Sequence, residues 1–109
     1  MNAALCGMEQ IVGFVEVEIL GLESDDFPIW IKCKLTALDG SEHLIIEKLP
    51  VLTEQELNIE NLPAKLQIEC TVLSIEQEQV VIDLSSPHGI QSIEGVQKFV
   101  VHSSLYHAT

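Results

Sequence analysis

The chain contains no arginine. All five basic residues are lysines (Lys32, Lys34, Lys48, Lys65 and Lys98), set against 17 acidic residues, so the formal charge is 5 − 17 = −12 over 109 residues. Without guanidinium groups there is no planar fork for a bidentate grip on phosphate. An anionic chain with a pI near 4.4 also repels a nucleic-acid backbone, whose binding relies on cationic side chains displacing counterions. Direct binding of DNA or RNA is therefore not expected, whereas a basic protein partner is favoured by the same field.

Cysteine is scarce and odd in number. Cys6, Cys33 and Cys70 have spacings that match no zinc or redox signature, and Cys33 and Cys70 sit inside apolar runs, where a free thiol behaves as a small buried hydrophobe. Long hydrophobic runs are absent too. No uncharged stretch approaches the ~20 residues that span a bilayer, and the start, MNAALCGMEQ, lacks the cationic residues and apolar length of a secretory signal. These features lead to an expectation of a cytoplasmic protein with no membrane contact. Hydrophobic residues at 47% and charged residues at 20% exclude wholesale disorder, and the length fits one domain, 1–109.

Catalytic signatures are missing as well. Gly21, Gly40, Gly89 and Gly95 stand alone, with no phosphate-binding loop around them, and the chain has no GxSxG, HExxH or CxxC. His43, His88, His102 and His107 show no metal-ligand spacing, and are read as solvated histidines of loops and turns. No cofactor, metal or catalytic residue is expected. A thiolate nucleophile is disfavoured in so anionic a chain, and 17 carboxylates are too many for any one pair to stand out as an acid/base couple.

What the sequence does contain is strand patterning. Residues 11–20 end in the alternation Val15, Val17, Ile19 against Glu16, Glu18, the period of a half-buried strand, and Gly21 closes it. In residues 29–38, Ile31, Cys33, Leu35 and Ala37 take one face and Trp30, Lys32, Lys34 and Thr36 the other. Asp39-Gly40 signals a hairpin returning along residues 42–49 up to Pro50. Thr53-Glu54-Gln55-Glu56 is a capping-box sequence for a helix of one or two turns. A second hairpin spans residues 66–75 and 79–84, turning at Glu76-Gln77-Glu78. Turn clusters at residues 85–89 and 94–95 lead to a last strand, residues 97–101. Residues 1–10 read as an N-terminal arm, with Met8 an alternative start, and residues 106–109 as a loose tail. The fold class is mainly β: an antiparallel sandwich or small barrel of about six strands with one short helix.

The acidic residues fall on the connections: Glu23, Asp25 and Asp26 before the second strand, Asp39 and Glu42 about the first hairpin, Glu54, Glu56 and Glu60 around the short helix, and Glu76 and Glu78 at the second hairpin. Taken singly these are solvated turns. Together they are positioned as binding residues commonly are, on loops held by a rigid sheet, and could plug a cationic cleft. Trp30, the single tryptophan, has the area and rigidity of an interface anchor, although burial is the commoner fate of a large aromatic, through a sandwich or barrel covering both faces or through lysine stems packing over the indole.

The segment FPIWIKCKLTALDGSEHLIIEKLPVLT, followed by SSPHGIQSIEGVQKFVV, resembles the immunity proteins of contact-dependent growth inhibition systems, small acidic bacterial proteins encoded beside polymorphic toxins. The resemblance runs from about Phe27 to Val101 and rests on the spacing of WIKC, DG, EKLP and PHGI. It implies a non-catalytic protein that neutralises a toxin domain, of the kind that is a ribonuclease. The expected contact set, read from charge and exposure, is Glu23, Asp25, Asp26, Trp30, Asp39, Glu42, Glu54, Glu56 and Glu60, engaging a cognate basic toxin. The alternative is an OB-like barrel module that binds a protein or peptide through its Trp30 face, with Lys32 and Lys34.

Overall fold

A computed structural model describes residues 11–24, 26, 28–52 and 63–108. The expected arm (1–10), the capping box and Cys6 lie outside the described residues. Seven strands are present: β1 (Ile11–Ser24), β2 (Trp30–Thr36), β3 (Glu42–Lys48), β4 (Ala64–Glu76), β5 (Gln79–Asp83), β6 (Lys98–His102) and β7 (Tyr106–Ala108). Helix α1 (Leu49–Leu52) follows β3, and a 3-10 turn (Ser103–Leu105) precedes β7. The strands form one antiparallel sheet, ordered β3-β2-β1-β4-β5-β6, with β7 added on β1. The sheet curls into a half-barrel, the barrel form of the expected β fold.

Alternation explains the curl. Val15, Val17 and Ile19 of β1 face inward with Ile31, Cys33 and Leu35 of β2, all buried, while their even-numbered neighbours are half-exposed. Bulges in β1 around Leu20 and Glu23 and in β4 around Leu73 each add a residue to one strand, which raises local twist and bends the sheet. The half-barrel leaves a seam between β3 and β6. Two backbone bonds of 2.8 Å cross it, Leu38 N–H to the Val100 carbonyl and Ile93 N–H to the Leu44 carbonyl, and His43 packs edge-on against Phe99 at 4.9 Å. Each bond caps an edge strand that would otherwise present a row of free backbone groups. The β5–β6 connection fills the barrel end with Leu84 and Ile90, both fully buried.

Four expectations need correction. Gly21 does not end β1: it pairs with Lys32 between the two bulges, so the strand runs on to Ser24 and Glu23 sits on it. The returning strand stops at Lys48, short of its expected end, because Leu49 opens a helix in whose first turn Pro50 has no N–H to lose. The tail is not loose. Residues 106–108 pair with Val15, Phe14 and Gly13 of β1, and the Tyr106 ring lies directly over Gly13, where any Cβ would collide with its Cε1 atom. The absent side chain is the seat for that ring. Finally, His43 and His107 lie on strands and are half-buried, because the strand pleat turns His43 toward Phe99 and sets His107 opposite Phe14.

Candidate functional site

The expected contact residues separate into three groups. Glu23 and Asp26 are exposed at one end of the molecule, where the Asp26 N–H donates to the Ser24 hydroxyl. Asp39 and Glu42 flank the β2–β3 turn. Trp30 opens β2, half-buried, directly opposite Lys48 on β3, whose Nζ lies 5.5 Å from the ring centroid. Asp25, Glu54, Glu56 and Glu60 lie outside the described residues.

Glu42 is committed within the fold. Its carboxylate is 3.2 Å from Lys34 Nζ, and Glu18 is 3.4 Å from the same ammonium. The hydrogen bonds to Glu42 and Glu18, in that order, hold the Lys34 pKa above its ordinary value. Glu16 is placed similarly between Lys65 at 3.8 Å and His107 at 3.9 Å. These cross-strand pairs engage the Glu16 and Glu18 carboxylates on the outer face of β1.

Asp39 is the opposite case. Its Oδ1 accepts from the Ser41 hydroxyl at 2.6 Å and from the Ser41 N–H at 2.9 Å. These two bonds, the hydroxyl first, hold its carboxyl below the usual range, and no lysine lies within ion-pair distance. It is a fixed, ionised, uncompensated charge on a turn whose Gly40 takes φ 88°.

Barrel closure brings that turn to the β4–β5 hairpin. Leu38 lines an open cleft of about 570 Å³ with Glu76, Gln77, Glu78 and Gln79, and Asp39 follows it in the chain. Glu76 and Glu78 are exposed, and Glu78 touches no cation nearer than His102 at 3.8 Å. The cleft thus carries two carboxylates unpaired with any lysine, Glu76 and Glu78, with Asp39 next in the chain to its Leu38 wall. Glu76 and Glu78 were absent from the expected contact set, although their place at a tight turn was visible in the sequence. The approach of Leu38 to this hairpin depends on a seam contact more than 60 residues apart in the chain, Leu38 with Val100, which no local pattern signals.

Glu23 lies far from this cleft. Val72 of β4 is opposite Ile11 of β1, and β4 continues beyond it to Glu76. At about 3.3 Å per residue, the strand from Glu23 to Ile11 alone covers roughly 40 Å. Glu23 and Asp26 therefore share no continuous surface with Glu76 and Glu78.

No protein-family profile, curated protein or solved structure matches the chain. The site's chemistry therefore rests on its own residues. Among the described residues no group of three or more histidine, cysteine or carboxylate side chains is placed to hold a metal ion, so the rim carboxylates are not gathered as ligands. Cys33 and Cys70 are fully buried. Desolvation pushes the Cys33 thiol up to about 12, and desolvation with the Glu69 charge pushes Cys70 up to about 11, so neither forms a thiolate nucleophile near neutrality. Ser41 gives its single proton to Asp39 and meets His43 Nε2 at 3.1 Å. That arrangement stabilises the turn and leaves the hydroxyl unactivated. No helix of the described residues is long and apolar enough to cross a membrane.

Proposed function

We propose that this protein is a non-catalytic inhibitor, an immunity protein that docks on the cationic active site of a cognate nuclease toxin in the cytoplasm and excludes its substrate. The observation that carries this reading is a set of carboxylates with no lysine partner at two hairpin tips: Glu76 and Glu78 line an open cleft, and Asp39 adjoins Leu38 of its lining. A nuclease site is cationic because it binds phosphate, and rigidly presented carboxylates can occupy the same positions. The Ser41 bonds pre-order Asp39, which reduces the conformational cost of docking. The net charge of −12 adds long-range steering toward a basic target, raising the encounter rate at low salt.

The reading moves the contact set. The β2–β3 and β4–β5 tips replace the Glu23–Asp26 end as the primary surface, and Glu42 acts within the fold by holding Lys34. The test is a titration with a basic nuclease domain, sought first beside the gene, with association rates followed at low and physiological salt. Replacing Asp39, Glu76 and Glu78 by their amides should slow association about tenfold at low salt and flatten its salt dependence, whereas Glu23→Gln should change neither. Wild-type association with that domain that ignores ionic strength would refute the proposal.

A further inference from the structure

The lysines are not scattered. Lys32, Lys34, Lys48 and Lys65 all lie on the outer face of the β3-β2-β1-β4 sheet, as their register shows: Trp30 opposite Lys48, Lys32 opposite Ile46, and Glu18 opposite both Lys34 and Lys65. Lys34 and Lys65 are compensated there by Glu18, Glu42 and Glu16. Lys32 and Lys48 have no carboxylate in ion-pair range among the described residues, in a chain where carboxylates outnumber lysines 17 to 5. These two uncompensated ammonium groups flank the only tryptophan, with half-buried Ile46 beside them.

We infer that the Trp30, Lys32, Ile46 and Lys48 face is a second docking surface, separate from the acidic cleft, and that its occupant is a short extended protein segment with acidic residues at alternate positions and an apolar neighbour. The geometry sets this chemistry. Lys32 and Lys48 are diagonal neighbours on adjacent strands, roughly 7–8 Å apart. Alternate residues of an extended chain are about 6.6 Å apart, so two carboxylates spaced in this way can meet both ammonium groups at once. Lys48 already lies over the indole, so a carboxylate reaching it lies near the ring, where an adjacent apolar side chain gains contact with Trp30 and Ile46. Aromatic anchors ringed by polar contacts are the usual energetic centre of an interface.

Single-stranded nucleic acid is the competing occupant, since aromatic and cationic residues on a sheet also suit stacked bases. It needs a cationic groove along the phosphate backbone. Among the described residues only Lys32 and Lys48 of this face lack a carboxylate in ion-pair range, the neighbouring two lysines are held by glutamates, and the whole chain carries −12. A ligand with two charges fits this face and a polyanion does not.

Because the chain has one tryptophan, its fluorescence reports this face alone. The probes are an acetylated leucine–glutamate–serine–glutamate–leucine pentapeptide, its diglutamine counterpart, and oligothymidylate, each titrated into the full chain at physiological salt. The acidic peptide should give a saturable change in emission, with a dissociation constant on the order of 100 μM. The diglutamine peptide should give none. The pair K32E/K48E, checked for folding by circular dichroism, should weaken binding at least about tenfold, while E76Q/E78Q leaves it unchanged, which separates this face from the proposed toxin surface. No saturable response to the acidic peptide up to about 1 mM, equal or tighter binding of oligothymidylate, or an undiminished response in folded K32E/K48E would each overturn the inference.

Discussion

Replacing Gly13 by alanine sets two effects of opposite sign against each other. Gly13 sits inside β1, paired with Cys70 on one side and Ala108 on the other, and its φ is not among the positive values of the chain. An alanine is therefore free of backbone strain, and by restricting the unfolded chain it should stabilise by about 0.5–1 kcal/mol. Its Cβ, however, would fall on the edge of the Tyr106 ring, so the ring must leave. Tyr106 is half-buried against the core. A tyrosine buries about 150–250 Å² when enclosed, so half of that, about 100 Å² at about 25 cal/mol per Å², comes to about 2.5 kcal/mol as an upper value. The net effect of Gly13→Ala is a loss of about 1–2 kcal/mol, with β7 released from β1. In a Tyr106→Ala background the obstacle is gone and the same substitution should stabilise, by about 0.5–1 kcal/mol. Urea unfolding of the four proteins in the cycle, followed through Trp30 fluorescence, measures both numbers. Equal destabilisation in the two backgrounds would show that the ring does not occupy the space above Gly13, and the account of β7 would fail.

Other consequences are as direct. With their pKa values pushed up to about 12 and about 11, Cys33 and Cys70 should resist a disulfide reagent at pH 8 in the folded protein and react at once in denaturant. A thiol whose folded pKa is raised stabilises fully below its unfolded value, near 9, and loses that contribution as pH climbs toward the folded one. Stability should therefore fall from about pH 9, up to about 11 for Cys70 and about 12 for Cys33, by up to about 1.4 kcal/mol per pH unit for each thiol, and C33V/C70V should flatten the slope. The Ser41 hydroxyl donates to Asp39 and can only accept from His43, so nitrogen NMR should show neutral His43 carrying its proton on Nε2. A proton on Nδ1 would contradict the turn geometry. Ser41→Ala should raise the Asp39 pKa toward its ordinary value, seen by carboxyl titration in NMR. Stability contributed by this carboxylate is present above about pH 4 and lost as pH falls, and S41A should reduce that acid sensitivity.

Strand content was open to inspection in the sequence because it depends on near neighbours. The alternation of Ile31, Cys33 and Leu35 against Trp30, Lys32 and Lys34 reappears as buried and half-exposed positions, and Asp39-Gly40 forms the expected turn. The failures share one cause. Gly21 looks like a strand end because glycine is a poor strand former, but two bulges carry the chain through it. Tyr106, His107 and Ala108 carry no strand alternation long enough to notice, and they are ordered by a partner more than 90 residues away whose distinguishing feature is a missing side chain.

The same distinction between local and distant causes governs the charges. That carboxylates occupy turns follows from solvation and can be read from the chain alone. Which of them remain unpaired cannot, because pairing is decided across strands. Glu42 and Asp39 are three residues apart around one turn, yet the first is held by Lys34 and the second faces solvent with only Ser41 bound to it. On the outer sheet face Lys34 and Lys65 hold carboxylates from β1 and β3, and among the described residues Lys32 and Lys48 hold none. The hairpin tips, which carry no lysine, keep theirs. An even distribution of the same −12 would give a repulsive, soluble surface with no preferred partner. The register instead pairs the carboxylates of the β1 and β3 outer face with Lys34 and Lys65 and leaves Glu76 and Glu78 at a hairpin tip and Lys32 and Lys48 beside Trp30 without such partners among the described residues, and unlike surfaces of this kind suit partners of unlike charge.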